Sequence, residues 1–459
     1  AEVAIYTISC GLMSVGAGVA SALANASCIA DVSASNLKIT GNGLTVSATA
    51  HSNALAHVCD LAIPMVSLGN VSVISTFAEA IGTVKSRVYG YSGDGINVQK
   101  GGLTIQTVYS ADANSDIQPS MGGIGLLSLR VNLATARVRT KAEAGISGEG
   151  IIKVKENVLV KADGKAKSYA VVRPTLMTAG VLNVGASTVE ATLNAIQKAY
   201  AEGSRIEAQN LYVVSLYNVK DTFNLSPISN ATLDDNFGAI AYVGASLASV
   251  GLATLQINQG LANSNSTVDA RIGDAKLVLT GDVIVNTVAA SYADVNIMEP
   301  SLSVSAVKTG INDLYAKARG IYSAGMEMNS GEVGHISANN VTFITAYDSK
   351  AKSISGPLGG VGVSMSASST QVNEAWSFVD SDAFTRMTGC LGEIVEKTGE
   401  TETTKKSTVR GSVTLKTNGG GKAYARVFTP TVSISASDVA ANSLYSKLLA
   451  YQQTYTNLA

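Results

Sequence analysis

Hydrophobic and polar residues alternate along most of the chain. In residues 413–427, small or apolar side chains occupy every second position from Val413 to Val427, and polar side chains such as Lys416 lie between them. Residues 44–58 and 158–172 alternate in the same way. Because successive side chains of a strand point to opposite faces, a period of two predicts β-strands. The predicted strands are about 15 residues long, against roughly five or six in an ordinary strand.

The prolines mark a repeat in this alternating pattern. Successive prolines are 55, 55, 53, 73, 57 and 73 residues apart, so a period of roughly 55 residues recurs, twice with an insertion. Proline has no backbone N–H to donate, so each should lie at a corner between strands. The seven prolines are Pro64, Pro119, Pro174, Pro227, Pro300, Pro357 and Pro430. One period before Pro64, at Ser9, an eighth unit begins without its proline.

Two kinds of segment refine this picture. Gly-containing turns at 92–95, 147–150 and 273–275 are predicted to end one strand and begin the next. Residues 189–200 and 442–451 have partly helical spacing, but they occupy the place in the repeat that residues 76–92 fill with an extended pattern. We therefore predict strands in both.

Units of this size cannot bury a core alone and must stack on their neighbours. We predict an all-β fold, an elongated parallel β-solenoid of about eight stacked units, with one wide coil or two smaller coils per unit. Residues 1–459 would form a single continuous repeat array. A charged loop insertion at about 392–408 and a second insertion at about 230–240 should leave it. Neither end carries a polar, Pro-rich cap, so unpaired strand edges are expected there.

Composition agrees with a thin core and argues against some partners. Charged residues make up 15% of the chain, against about 25% in an average soluble protein. The net charge is −1 and no basic stripe is present, which excludes the usual footprint of a nucleic-acid-binding protein. The apolar stretch 239–257 is interrupted by glycine and serine, so no membrane span is expected. Near-neutral copies should associate readily, because charge does not keep them apart.

Candidate chemistry is sparse. His51 and His57 share the outward face of one predicted strand, roughly 20 Å apart at the usual strand rise, too far for one metal ion. His335 is remote, and no GxSxG motif accompanies these histidines. Most carboxylates lie at turns or in the charged loop, although residues 234–236 form a local oxygen cluster. We therefore predict no enzyme, with no catalytic, cofactor-binding or metal-binding residues and no cofactor.

The cysteines do not settle the redox setting. None of the four forms a CxxC motif, and three lie within the first 59 residues. A disulfide among Cys10, Cys28 and Cys59 is one reading, and isolated buried thiols, including Cys390, are the other.

Two segments carry the pattern of a known family. They are CGLMSVGAGVASALANASCIADV from Cys10 and ARIGDAKLVLTGDVIVNTVAASYADV from Ala270. Their pattern is a Ser-Val-Gly segment, then an Ala-rich alternating strand, then a Gly-Asp turn before another strand. This pattern resembles the repeats of leukotoxin-type filamentous adhesins. Those adhesins are large repetitive exoproteins of Gram-negative bacteria. The resemblance implies secretion, a stacked β-fold and a role in adhesion or fibre formation. The scarcity of charge and the cysteine group depart from it.

These observations predict a structural protein of an extracellular bacterial fibre or adhesin stalk, secreted or held at the cell surface. Its expected partner is itself, as a homopolymer or as neighbouring repeats of a longer chain, and we hypothesise head-to-tail joining through uncapped solenoid ends. The alternative is an adhesin binding module that recognises a host surface or a carbohydrate through loops on the rod. Deleting the charged loop would abolish adhesion only in the second case.

Overall fold

The computed structural model describes residues 2–7, 13–60, 65–118, 123–174, 177–244, 248–299, 302–329, 333–357, 362–398, 401–428 and 431–458. These residues form β-strands and the connections between them, and the strands are numbered in chain order. The expectation of an all-β chain is met. Residues 189–200 and 442–451 lie within strands, so the strand prediction for both is confirmed.

The strands belong to a larger sheet, a second sheet and one hairpin. The larger sheet has a main row of long strands, β2 (Met13–Ile39), β4 (Met65–Val98), β6 (Gly123–Gly148), β9 (Met177–Glu202), β13 (Ala248–Gly273), β16 (Leu302–Glu327), β19 (Gly362–Leu391) and β24 (Thr431–Leu458). Its short row contains β7 (Ile151–Val154), β10 (Arg205–Ala208), β14 (Lys276–Leu279), β17 (Val333–Ala338) and β22 (Thr408–Val409). The second sheet contains β1 (Glu2–Thr7), β3 (Gly43–Asp60), β5 (Gly102–Gln118), β8 (Val158–Val172), β11 (Leu211–Tyr217), β12 (Gly238–Gly244), β15 (Val283–Glu299), β18 (Val341–Pro357) and β23 (Val413–Val427). The hairpin consists of β20 (Ile394–Thr398) and β21 (Thr401–Lys405).

Neighbouring strands in both sheets are parallel, and the chain returns to each sheet after about one sequence period. Asn312 on β16, for example, lies opposite Asn258 on β13 and Asn373 on β19. These partners are 54 and 61 residues away in sequence. Parallel strands need long connections, and here each connection is a strand of the other sheet.

The prediction of an elongated, open β-solenoid is wrong, because the strands close into a ring. Strand β4 runs unbroken for 34 residues and pairs with both β6 and β7, and β19 pairs with both β16 and β17. Pairing of β4 with β7 and of β19 with β17 therefore closes the two rows into a ring of parallel strands, with β2 paired to β4 and β24 to β19 outside the closure and a second sheet beside the ring. The fold is not an elongated stacked β-solenoid or β-helix. The physical reason lies in the turns: Gly93 and Gly95 adopt φ values of 105° and 50° and bend β4 without ending it.

The core fills the space between the sheets with small residues. Alanines such as Ala78, Ala136 and Ala316 are fully buried in the cluster between the main row and the second sheet. Large and small residues also alternate in register across the second sheet, so that each tyrosine side chain lies beside a glycine or alanine on the neighbouring strands. This column contains Ala50, Tyr109, Gly164, Tyr217, Ala289, Tyr347 and Gly419.

The prolines and insertions fall at connections where they are described. Pro174 lies between β8 and β9, and Pro357 ends β18, whereas Pro64, Pro119, Pro300 and Pro430 lie outside the described residues. The second insertion spans residues 218–237 and is closed by a bridge between Val219 and Leu233. Its Ile228 exchanges two backbone hydrogen bonds with the buried Asn286 side chain (2.7 and 3.1 Å), which fastens it to the second sheet.

Candidate functional site

The most exposed element is β24, at one edge of the main row. It pairs with β19 along its length, and among the described residues no strand pairs with its other side. From Ile434 to Leu458 nearly every residue is exposed. A strand of 28 residues with one unpaired side presents a long row of unsatisfied backbone N–H and C=O groups.

Side chains of β24 that point toward the core are also uncovered. Leu444 and Leu448 are 54% and 47% exposed, whereas their register partners on β19, Ala375 and Val379, are fully buried. The difference arises because each interior residue of the main row is covered by the strands on both sides. We conclude that β24 presents an open cross-section of the hydrophobic core.

The opposite edge of the main row is β2. Of the described strands it pairs only with β4, and its core-facing Ala20 and Ala22 are 1% exposed. On its outward face, Val15, Val19 and Leu23 are 57–69% exposed. Exposed apolar side chains along a strand at the edge of a sheet mark a surface suited to association.

The second sheet has the same arrangement. Strand β1 lies at one edge and pairs only with β3, while β23 lies at the other edge and pairs only with β18. Because all strands of a parallel sheet point the same way, its two edges can pair with each other when copies are related by translation. Each sheet therefore has two mutually compatible edges in the described part of the chain.

A ladder of asparagines crosses the main row and reaches the β24 edge. Asn258 donates to Asn312 at 2.9 Å, Asn312 to Asn373 at 2.7 Å and Asn373 to Asn442 at 2.8 Å. Stacked asparagines of this kind stabilise in-register parallel strands, because each amide bonds to the identical group above and below it. Asn442 on β24 accepts the last hydrogen bond of this ladder through its Oδ1.

Aromatic rings line the outward face near the same edge. Trp376 on β19 and Tyr445 on β24 are register partners whose ring centroids are 4.7 Å apart. Phe378 lies between the ammonium groups of Lys317 and Lys447, at 5.4 and 5.7 Å from its centroid. Such cross-strand contacts each stabilise the sheet by about 0.2–1 kcal/mol and account for these side chains within the fold.

One pair on this face lowers stability. Asp313 and Glu374 lie opposite each other on β16 and β19. Burial raises the pKa of the Asp313 carboxyl, and the charge of Glu374 raises it further. Like charges in directly opposite positions are unfavourable.

The charged loop predicted at about 392–408 contains the β20–β21 hairpin. Ile394 is buried at its base and Val395 is 57% exposed. Ser407 donates to the Gly392 carbonyl at 3.0 Å, so the two ends of the hairpin are adjacent. The buried His335 ring contacts the same carbonyl oxygen through Nδ1 at 3.1 Å. This histidine therefore packs at the base of the hairpin.

The remaining predicted chemistry is dispersed. His57 lies 3.4 Å from the Asp116 carboxylate, which Arg173 binds at 2.7 and 2.9 Å; this hydrogen bond raises the pKa of Arg173. Asp234 in the second insertion accepts from Lys165 at 3.0 Å and from Asn236 at 2.9 Å, and these contacts lower its pKa despite partial burial. Among the described residues, no three His, Cys, Asp or Glu side chains are grouped closely enough to hold a metal ion.

The cysteine prediction is answered only in part. Cys28 and Cys390 are thiols, half-buried and exposed respectively, and Cys59 is buried. Cys10 lies outside the described residues.

The open strand edges are what sequence reasoning located least well. It predicted uncapped ends in general terms, but the exposed leucines of β24 escaped it. Their signal is that Leu444 and Leu448 are in register with Ala375 and Val379, while none of the described strands pairs with the other side of β24.

Comparison with known proteins adds no relative: no family model, no curated protein and no solved structure matches this chain. In the described part of the chain there is no helix long and apolar enough to cross a membrane.

Proposed function

We propose that this chain is a structural protein of an extracellular bacterial fibre, in which copies associate through their unpaired strand edges. The observation that carries the proposal is the exposure of core-facing Leu444 and Leu448 on a strand that pairs with a described strand on one side only. Exposed apolar surface of this kind is stabilised when a partner covers it. The extracellular, bacterial setting rests on the resemblance of the segments that begin at Cys10 and Ala270 to filamentous adhesins.

Two further properties favour self-association. The chain carries a net charge of −1, so long-range repulsion between copies is weak. The edges at opposite sides of each sheet are parallel, so a contact between unlike edges leaves a new edge exposed and repeats without closing. Repeated addition of copies produces a fibre.

The test replaces both leucines with lysine. Leu444→Lys/Leu448→Lys puts two charges on the proposed contact while altering side chains that are already about half exposed. Because each leucine is already about half buried, covering the rest is worth about 1 kcal/mol each, so their loss weakens association by about 2 kcal/mol, roughly thirtyfold. Sedimentation velocity over a concentration series measures this.

The matched control is Leu126→Lys/Leu252→Lys. These leucines are 56% and 61% exposed but lie away from both edges of the main row, on β6 and β13. The control should associate as the parent chain does, and both variants should keep its melting temperature. A parent chain that stays monomeric at every concentration, or equal weakening in the two variants, would refute the proposal.

A further inference from the structure

We infer that one copy joins the next in a single parallel register, with β2 of one copy paired to β24 of its neighbour so that Met13 lies opposite Ser437. This inference rests on the proposed self-association and specifies its partner, polarity and alignment. It follows from the pairing inside the chain, which sets one alignment for all eight strands of the main row.

The alignment is traced from strand to strand. Met13 on β2 lies opposite Gly69 on β4, and the same position then passes through the six strands that follow. The positions are Met13, Gly69, Leu127, Leu182, Ala253, Val307, Ser368 and Ser437. A ninth strand that continued this pattern would place its own Met13 position opposite Ser437.

This register makes the core-facing side chains complementary. Leu444 and Leu448 of one copy would lie over Ala20 and Ala24 of the next, because each pair occupies the same position in the repeat. The register thus pairs large residues with small ones, as it pairs Tyr109 with Gly164 within the chain. A slip of one residue would turn every core-facing side chain outward, so it is strongly disfavoured.

Charges are also compatible in this register. The two charged residues of β24, Asp438 and Lys447, would face Ser14 and Leu23, so no like charges meet across the junction. Tyr455 would face Asp31, whose carboxylate already binds Arg87 at 2.7 Å, and the tyrosine hydroxyl could donate to the same group.

The second sheet supports the same translation independently. Its equivalent positions run from Glu2 through Leu55, Asn114, Tyr169, Ile240, Asp294 and Lys352 to Tyr424. Strand β23 immediately precedes β24 in the chain, as β1 precedes β2. One movement therefore places β1 on β23 and β2 on β24 together, which makes the contact continuous across both sheets.

The test uses a native cysteine. Cys28 on β2 is a half-buried thiol, and the inferred register places it opposite Gln452 of the neighbouring copy. Gln452→Cys should therefore form an intermolecular disulfide with Cys28 under mild oxidation, since directly opposite strand positions are within disulfide reach. Cys390→Ser is included throughout because that thiol is exposed.

Matched controls move the new thiol by two residues while keeping it on the same face. Ala450→Cys and Thr454→Cys would face Ala26 and Ala30 instead. Disulfide-linked species should be several-fold more abundant for Gln452→Cys than for either control, and Cys28→Ser should remove them.

The outcomes separate this inference from the proposed function. Association with the strongest cross-linking at position 450 or 454, or with no preference, would overturn the register and leave self-association standing. A chain that remains monomeric would overturn both and would mean that another segment or partner covers β24.

Discussion

At the scale of single residues, the alternation of tyrosine with glycine or alanine sets how closely strands of the second sheet pack. Gly164 lies in register between Tyr109 and Tyr217, and a Cβ atom built on it would overlap the Tyr109 ring. Ala289 occupies the equivalent small position between Tyr217 and Tyr347. The positions between two tyrosines in this column of the second sheet therefore accept alanine better than any larger residue.

We predict a graded loss of stability at Gly164. Gly164→Ala should lower the free energy of unfolding by about 1 kcal/mol and Gly164→Val by about 3 kcal/mol, because the buried ring of Tyr109 has little room to move. Denaturant unfolding measures both. Gly420→Ala is the control, since no atom lies within 4 Å of the added methyl group. Equal stability of the Gly164 and Gly420 variants would contradict this description of the core.

At the scale of elements, the hairpin is separable from the sheets. Its strands pair only with each other, and Ser407 holds its ends together through the Gly392 carbonyl. The interior of the main row consists of β4, β6, β9, β13, β16 and β19, which pair with one another and not with the hairpin. The hairpin is thus the element best placed to carry the alternative role, recognition of a surface ligand by a loop on a rigid scaffold.

Removing the hairpin distinguishes the two roles. Replacing residues 393–406 with two glycines should change self-association less than twofold, because neither unpaired edge includes these residues. The melting temperature should fall only slightly, because Ile394 is the one buried side chain among those of residues 393–406 whose burial is described. Sedimentation velocity beside the parent chain measures the effect. Loss of association in the deleted chain would place the contact at the hairpin instead of β24.

The sequence predicted elements well where the period of two was long. Alternation from Val158 to Val172 corresponds to β8, and the repeat kept residues 189–200 in a strand despite their helical spacing. Of the three predicted turns, those at 147–150 and 273–275 fall where one strand ends and the next begins, and the turn at 92–95 is wrong. Glycine marks a bend without saying whether hydrogen bonding stops there. Residues 149–150 separate β6 from β7, whereas residues 92–95 lie inside β4.

At the scale of the whole molecule, the repeat predicted which strands follow each other but not how their pairings close. A pattern of side chains reports which face of a strand is buried, and both an open stack and a closed ring bury the same face. Closure depends on β4 and β19 each pairing with two successive strands, which is a property of strand length and bending. The open core at Leu444 and Leu448 likewise depends on what lies beyond β24, which no local pattern records.

Electron microscopy of the concentrated parent chain tests the central claim most directly. Copies joined head-to-tail through β24 and β2 are all related by the same translation, so they give an axial repeat of one copy. We predict unbranched fibres with that repeat. Discrete particles at every concentration, or a repeat of about twice that length from copies of alternating polarity, would contradict the account.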